Sequence, residues 1–170
     1  MARYLIANGP MQTTAAFATV TTGTAIKTLL QVKPGTTSTI KIVEWGISFD
    51  GSAAATPIKV ELIETDVAAT VTASVANDIT KYDGDALNAG DPTTSQIAVG
   101  TAATGYTSTA EGTITAVRNL DGPQLVAPTN QYVKQFPLGE RPAIQPSKFA
   151  RIRVTAGAAV NAYCYMIVEV

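Results

Sequence analysis

Four glutamates and a group of aspartates are the residues in this sequence best equipped to do chemistry. Glu44, Glu61, Glu64 and Glu111 can supply the carboxylate pair of glycoside hydrolysis, one acting as acid and one as base or nucleophile. Glu44 and Glu61, however, fall where strand alternation points a side chain at solvent, and solubilising charge is the simpler reading. Asp78, Asp83, Asp85 and Asp91 offer the oxygen ligands that calcium takes from a flexible loop. Their spacing around Asp83-Gly-Asp85 does not match an EF-hand, and turn formation explains them equally well. No metal and no cofactor is expected.

Other chemistry lacks its residues. The chain has no histidine, which removes the commonest general base, the commonest metal ligand and every histidine-dependent triad. Its one cysteine, Cys164, lies in an apolar run and reads as small, buried and inert; it can form neither an intrachain disulfide nor a structural zinc site. Gly-rich phosphate loops are missing. The expectation is a protein that is not an enzyme.

Charge narrows the partners. Twelve Lys and Arg balance thirteen Asp and Glu, and the cations stand singly rather than in the clustered stripe that phosphate neutralisation needs, so direct nucleic-acid binding is not expected. The nearest approach to a cluster is Lys148, Arg151 and Arg153, with Arg151 and Arg153 on one strand face, read as solvated. Only 15% of the 170 residues are charged against 46% hydrophobic, which leaves little repulsion to oppose self-association. No apolar run approaches a membrane span, the opening residues break too soon for a signal peptide, and a soluble protein is expected. The lack of disulfides suits a reducing cytoplasm.

The elements that must carry these residues read as strands. Thr, Ala and Val dominate, and no run of helix length shows a 3.6-residue period. In Thr39–Asp50, Val43, Trp45, Ile47 and Phe49 share one face; in Ile58–Thr65, Ile58, Val60 and Leu62 do, and the two segments are expected to pair. Phe149–Thr155 and an apolar Val160–Val168 are expected to form a second pair, the latter central in a sheet or at a subunit contact. Further strands are expected at Ala15–Val20, Ala25–Val32, Thr70–Val75, Gln96–Gly100, Gly112–Leu120, Gln124–Ala127 and Gln131–Pro137, with long loops at Asn77–Thr94 and Gly100–Gly112. About ten short antiparallel strands imply an all-β, single-domain sandwich, jelly-roll-like, or else a Greek-key sandwich of another order. Residues 1–12 form an N-terminal arm or a first strand, and 13–170 the sandwich.

Four segments carry a resemblance: MARYLIANGP (Met1–Pro10), VEWGISFDG (Val43–Gly51), PTNQYVKQFPLG (Pro128–Gly139) and RIRVTAGAAVNAYCY (Arg151–Tyr165). They resemble proteins of tailed bacteriophages of actinobacteria and related hosts, several of which look like capsid decoration (cement) proteins. The resemblance implies a β-sandwich or jelly roll, a homotrimer at a capsid symmetry axis, a major capsid protein as partner and a place on the virion surface; no catalytic residue comes with it. Residues 2–12 are then expected to be an arm that orders on the partner. Contact candidates are Arg3, Tyr4, Leu5 and Ile6 from that segment, the loop tyrosines Tyr82 and Tyr106, and Tyr132 and Phe136. Trp45, Phe49 and Phe149 are assigned to packing. The alternative is a receptor- or glycan-binding β module of a head fibre or tail, for which Tyr82 and Tyr106 would be the exposed rings.

Overall fold

A computed structural model describes residues 1–50, 56–83, 89–90, 95–128 and 130–170. The chain is an all-β sandwich. Its strands in order are β1 (Arg3–Ala7), β2 (Val20–Thr21), β3 (Lys27–Pro34), β4 (Ile40–Asp50), β5 (Ile58–Thr65), β6 (Thr70–Ala73), β7 (Ile79–Lys81), β8 (Ala89–Gly90), β9 (Ile97–Ala98), β10 (Gly105–Ala110), β11 (Val117–Asp121), β12 (Gln124–Leu125), β13 (Gln131–Gln135), β14 (Ala143–Ile144), β15 (Phe149–Thr155) and β16 (Asn161–Glu169). One sheet runs β13-β4-β16-β1-β7, with β14 on β4 and β2 on β16. The other runs β11-β5-β15-β3-β10-β6, with β12 on β5 and β9 joining β3 to β8.

The two expected pairs are not hairpins. Strand β4 lies in the first sheet and β5 in the second, and β15 and β16 are likewise split between the sheets. Each connection therefore crosses the sandwich. The crossings nest, because β4 pairs with β16 in one layer while β5 pairs with β15 in the other. Strand β16 is central, between β4 and β1, as its two apolar faces suggested.

Period two fills the core. Tyr4 and Ile6 of β1, Trp45, Ile47 and Phe49 of β4, Ile58, Val60 and Leu62 of β5, Ile152 and Val154 of β15, and Ala162, Cys164, Met166 and Val168 of β16 meet between the layers. Val43 is buried but stands outside this cluster. It sits at a register shift, where Ile167 faces Glu44 and Val168 faces Ile42. The extra residue restores the inward direction of Ile40 and Ile42 and breaks the ladder locally.

Several boundaries differ from expectation. Residues 13–19 lack a buried face and form no strand ahead of Val20. Asn77–Thr94 is not one continuous loop, since β7 pairs with β1 and closes an edge of the first sheet; residues 84–88 and 91–94 of it lie outside the described residues. Gly100–Gly112 contains β10, paired with β3 and β6. Of residues 1–12, Arg3–Ala7 forms a strand held on both sides by β16 and β7, so this stretch is part of the sheet rather than an arm awaiting a partner.

The second sheet has a covered outer face. To pass from β5 to the far-edge strand β6, residues 66–69 run across β15 and β3, and residues 111–116 run back from β10 to β11. Gln31 of β3 receives a hydrogen bond from the Ala69 amide at 2.8 Å and donates to the Ala103 carbonyl at 2.6 Å. Arg151, expected to be solvated, is completely buried beneath the two crossings. Its guanidinium donates to the Val67 carbonyl of one crossing, and to the Glu111 carbonyl (3.1 Å) and carboxylate (3.3 Å) of the other. Glu111 also accepts from the Thr28 amide (2.6 Å), the Thr28 hydroxyl (2.6 Å) and the Ser108 hydroxyl (2.5 Å). Arg153 is partly exposed and donates to Glu61 at 2.9 Å.

The crossings are also tied to each other. Asp66 accepts from the Thr115 hydroxyl, the Thr115 amide (3.2 Å) and the Ala116 amide (3.0 Å). These donors, the hydroxyl first, lower its carboxyl from 3.8 to about 2. Because the folded value lies below the unfolded one, the link is complete above about pH 4 and fades as pH falls through 2. An NMR titration should place the Asp66 midpoint near 2, and Thr115→Ala should return it toward 3.8. An ordinary midpoint in the parent protein would show that the tie does not form in solution.

Candidate functional site

The carboxylates that might have worked as a pair are separately engaged. Glu44 accepts the Tyr165 hydroxyl at 2.6 Å, Glu61 is bound to Arg153, Glu64 takes Arg118 at 2.7 Å, and Glu111 belongs to the Arg151 network. Asp78 accepts from the Val75 and Met11 amides at 2.8 Å each, so it shapes a turn. Asp85 and Asp91 lie outside the described residues, among which no three His, Cys, Asp or Glu side chains come together. Cys164 is buried in the core, which pushes its thiol well above the ordinary range.

The contact candidates separate by strand parity. In β1, Tyr4 and Ile6 point inward and are buried, Tyr4 with its hydroxyl 2.6 Å from Gln96 Oε1; they are core residues and not interface residues. Arg3 and Leu5 point the other way. Arg3 is half exposed, 3.6 Å from Glu169, and Leu5 is half-buried on the outer face of the first sheet. Phe136 is buried too, because its amide donates to the Val43 carbonyl and draws it into the sandwich. Tyr132 packs on Trp45, ring centroids 5.3 Å apart, and donates to Asp121 at 2.9 Å. Tyr106 lies in β10 rather than in a loop and is half-buried. Tyr82, next to β7, is exposed.

The most prominent apolar display is one that the candidates omit. At the Val43 bulge the chain leaves β4's flank between β13 and β14 and turns through Pro137–Glu140, closed by the Glu140 amide on the Pro137 carbonyl at 3.0 Å. Gly139 at φ +98° takes the left-handed position that a side chain would resist. Both ends are fixed: Phe136 is buried, and the Ile42 amide bonds the Pro142 carbonyl at 2.9 Å. Leu138 at the tip is 81% exposed. Met1, 87% exposed, lies across a hollow of about 120 Å³ lined also by Lys41, Gly139, Arg141 and Glu169. Glu169 is buried under Arg141 (2.7 Å) and Arg3, Lys41 lines the same hollow, and Glu140 stands exposed on the turn.

Against models of protein families, curated proteins and solved structures, the chain matches none.

Leu138, on a turn whose two ends are anchored, costs little backbone entropy to immobilise, and Met1 follows directly from Ala2, which is paired with Val170. The patch itself offers no reacting group. Leu138 had one signal in the sequence, an apolar residue set among Pro, Gly and Glu where turn residues are normally polar.

Proposed function

We propose that this chain is a structural virion protein, a decoration protein that binds the outside of a tailed-phage head and stabilises the shell through protein–protein contacts. The observation that carries the reading is the anchored Leu138 turn beside Met1, an apolar pair over a hollow that Lys41 and Arg141 also line. The likeness of four sequence segments to phage decoration proteins supports it. The partner is the major capsid protein, contacted through an apolar hollow with acidic surroundings. Self-association as a trimer at a symmetry axis belongs to the same proposal. A protein that binds the assembled lattice and not dispersed subunits stabilises the shell by mass action.

The test has two parts. Mass analysis of purified particles should find the chain in hundreds of copies; a handful would point to a tail or fibre. Leu138→Asp should weaken binding to capsids lacking the protein by about thirtyfold or more, the loss of a hot-spot residue of about 2 kcal/mol. Its thermal midpoint should be unchanged, because the side chain is almost fully exposed. Undiminished capsid binding would remove this end as the docking surface.

A further inference from the structure

The outer face of the first sheet carries an aromatic platform that capsid docking at Leu138 does not use. Two neighbouring cross-strand rows build it: Gln131, Ser48 and Tyr163, then Val133, Gly46 and Tyr165. Gly46 is what lets the second row accept a ring. A methyl group on Gly46 would lie 2.6 Å from a ring carbon of Tyr165, so the ring rests directly over the glycine. The Tyr165 hydroxyl is held by Glu44, which fixes the ring's direction. Tyr163 stands beside it, centroids 6.0 Å apart and planes 34° apart, and is braced by the edge of Phe17 at 4.7 Å and 89°. Between these rings and β13 lies a hollow of about 140 Å³ lined by Ser48, Gln131, Val133, Tyr163 and Tyr165 among others.

We infer that this hollow binds a neutral pyranoside, one sugar unit of a polysaccharide. A pyranose has a face of C–H bonds that seats on the electron-rich face of an aromatic ring, and hydroxyls that need donors and acceptors at its rim. The platform supplies both. Among the described residues, the Tyr163 hydroxyl, the Ser48 hydroxyl and the Gln131 amide have no hydrogen-bond partner, so all three are free for ligand hydroxyls. Charge agrees: the carboxylates that border the two rows on this face, Glu44 on one side and Asp50 on the other, already accept from Tyr165 and from the Thr19 hydroxyl, which fits an uncharged ligand. A second copy of the chain fits less well. Val133 is the only exposed large apolar side chain in these rows, and a stable protein interface wants an apolar centre within about 800 Å² per partner.

The experiment uses the full chain with the methyl pyranosides of glucose, galactose, mannose and N-acetylglucosamine, and with cellotetraose, maltotetraose and chitotetraose. Saturation-transfer NMR should show one pyranoside contacting the protein through its C–H face. Calorimetry should show the matching tetrasaccharide binding about tenfold more weakly to Tyr165→Leu, a variant that keeps an apolar cover over Gly46. Gln131→Ala, an exposed change that cannot unfold the sheet, should weaken binding severalfold. Thermal midpoints and Trp45 emission check that each variant is folded. Leu138→Asp should bind the sugar unchanged, which separates this site from capsid docking. Lack of transfer from every saccharide, or affinity untouched in both platform variants, would overturn the inference; loss of capsid binding by the platform variants without any sugar response would assign the face to protein.

Discussion

Arg151→Met is expected to destabilise the fold by about 3–5 kcal/mol, the range for removing one partner of a buried ion pair. Arg151 is completely buried and reaches from β15 to both crossings over the second sheet, through Val67 and Glu111. Burial lowers its guanidinium and the Glu111 charge opposes that, so the pair is held together against a desolvation cost. Methionine fills much of the volume but leaves the Glu111 carboxylate, still bonded by Thr28 and Ser108, without its cation, and takes a donor from the Val67 and Glu111 carbonyls. For a chain of this size roughly 1 kcal/mol moves the thermal midpoint by about 2–4 °C, so a fall of about 6–20 °C should appear in circular-dichroism melts. Adding Glu111→Gln should recover part of the loss, because the orphaned charge is its largest element. Arg118→Met supplies the contrast: Arg118 also has a carboxylate at 2.7 Å, yet it is half exposed and should cost no more than about 1 kcal/mol. Equal losses at the two arginines would contradict the buried staple.

The same arginine shows where the sequence stops being legible. Alternation along β15 correctly sets Arg151 opposite Ile152, but it reports only which sheet face a residue takes. Whether that face meets water depends on residues 66–69 and 111–116, which cross it from elsewhere in the chain. Strand partners are hidden for the same reason. The apolar pattern of β4 and β5 is clear, while their separation into two layers is a fact of topology that short gaps and hairpin statistics point away from. In β1 the information is in the parity: Tyr4 and Ile6 share a face, so the strand that turns Arg3 and Leu5 outward has to bury them. The platform had a signal too, a glycine inside the strongest strand pattern of the chain, where a close approach is the usual reason. Its partner Tyr165, 119 positions later, needs the register of β4 against β16.

Asp121→Ala is the second large effect, expected at about 2–4 kcal/mol, and its cause is the opposite edge of the sandwich. Asp121 ends β11 in the second sheet, yet its carboxylate accepts the indole N–H of Trp45 at 3.2 Å and the hydroxyl of Tyr132 at 2.9 Å, both from the first sheet, with Lys134 Nζ at 3.4 Å. It thus clasps the two layers where β13 and β11 form their edges. Alanine leaves the N–H of a fully buried tryptophan without an acceptor, a loss of roughly 1–3 kcal/mol by itself, and opens a gap beside Tyr132. Asp121→Asn keeps one carbonyl oxygen and should cost less. Trp45 is the only tryptophan, so its emission reports this site alone and should shift to longer wavelength in the alanine variant. Tyr132 supplies an independent reading. Burial, then the Asp121 bond, then its charge push the phenol up to about 12, so a stabilising contribution present below about pH 10 is lost as pH rises toward 12. Without Asp121 the phenol should titrate lower but still above 10, since burial is the larger cause. An alanine variant with parental stability and an unmoved Tyr132 would mean that the two sheets are held at this edge by packing alone.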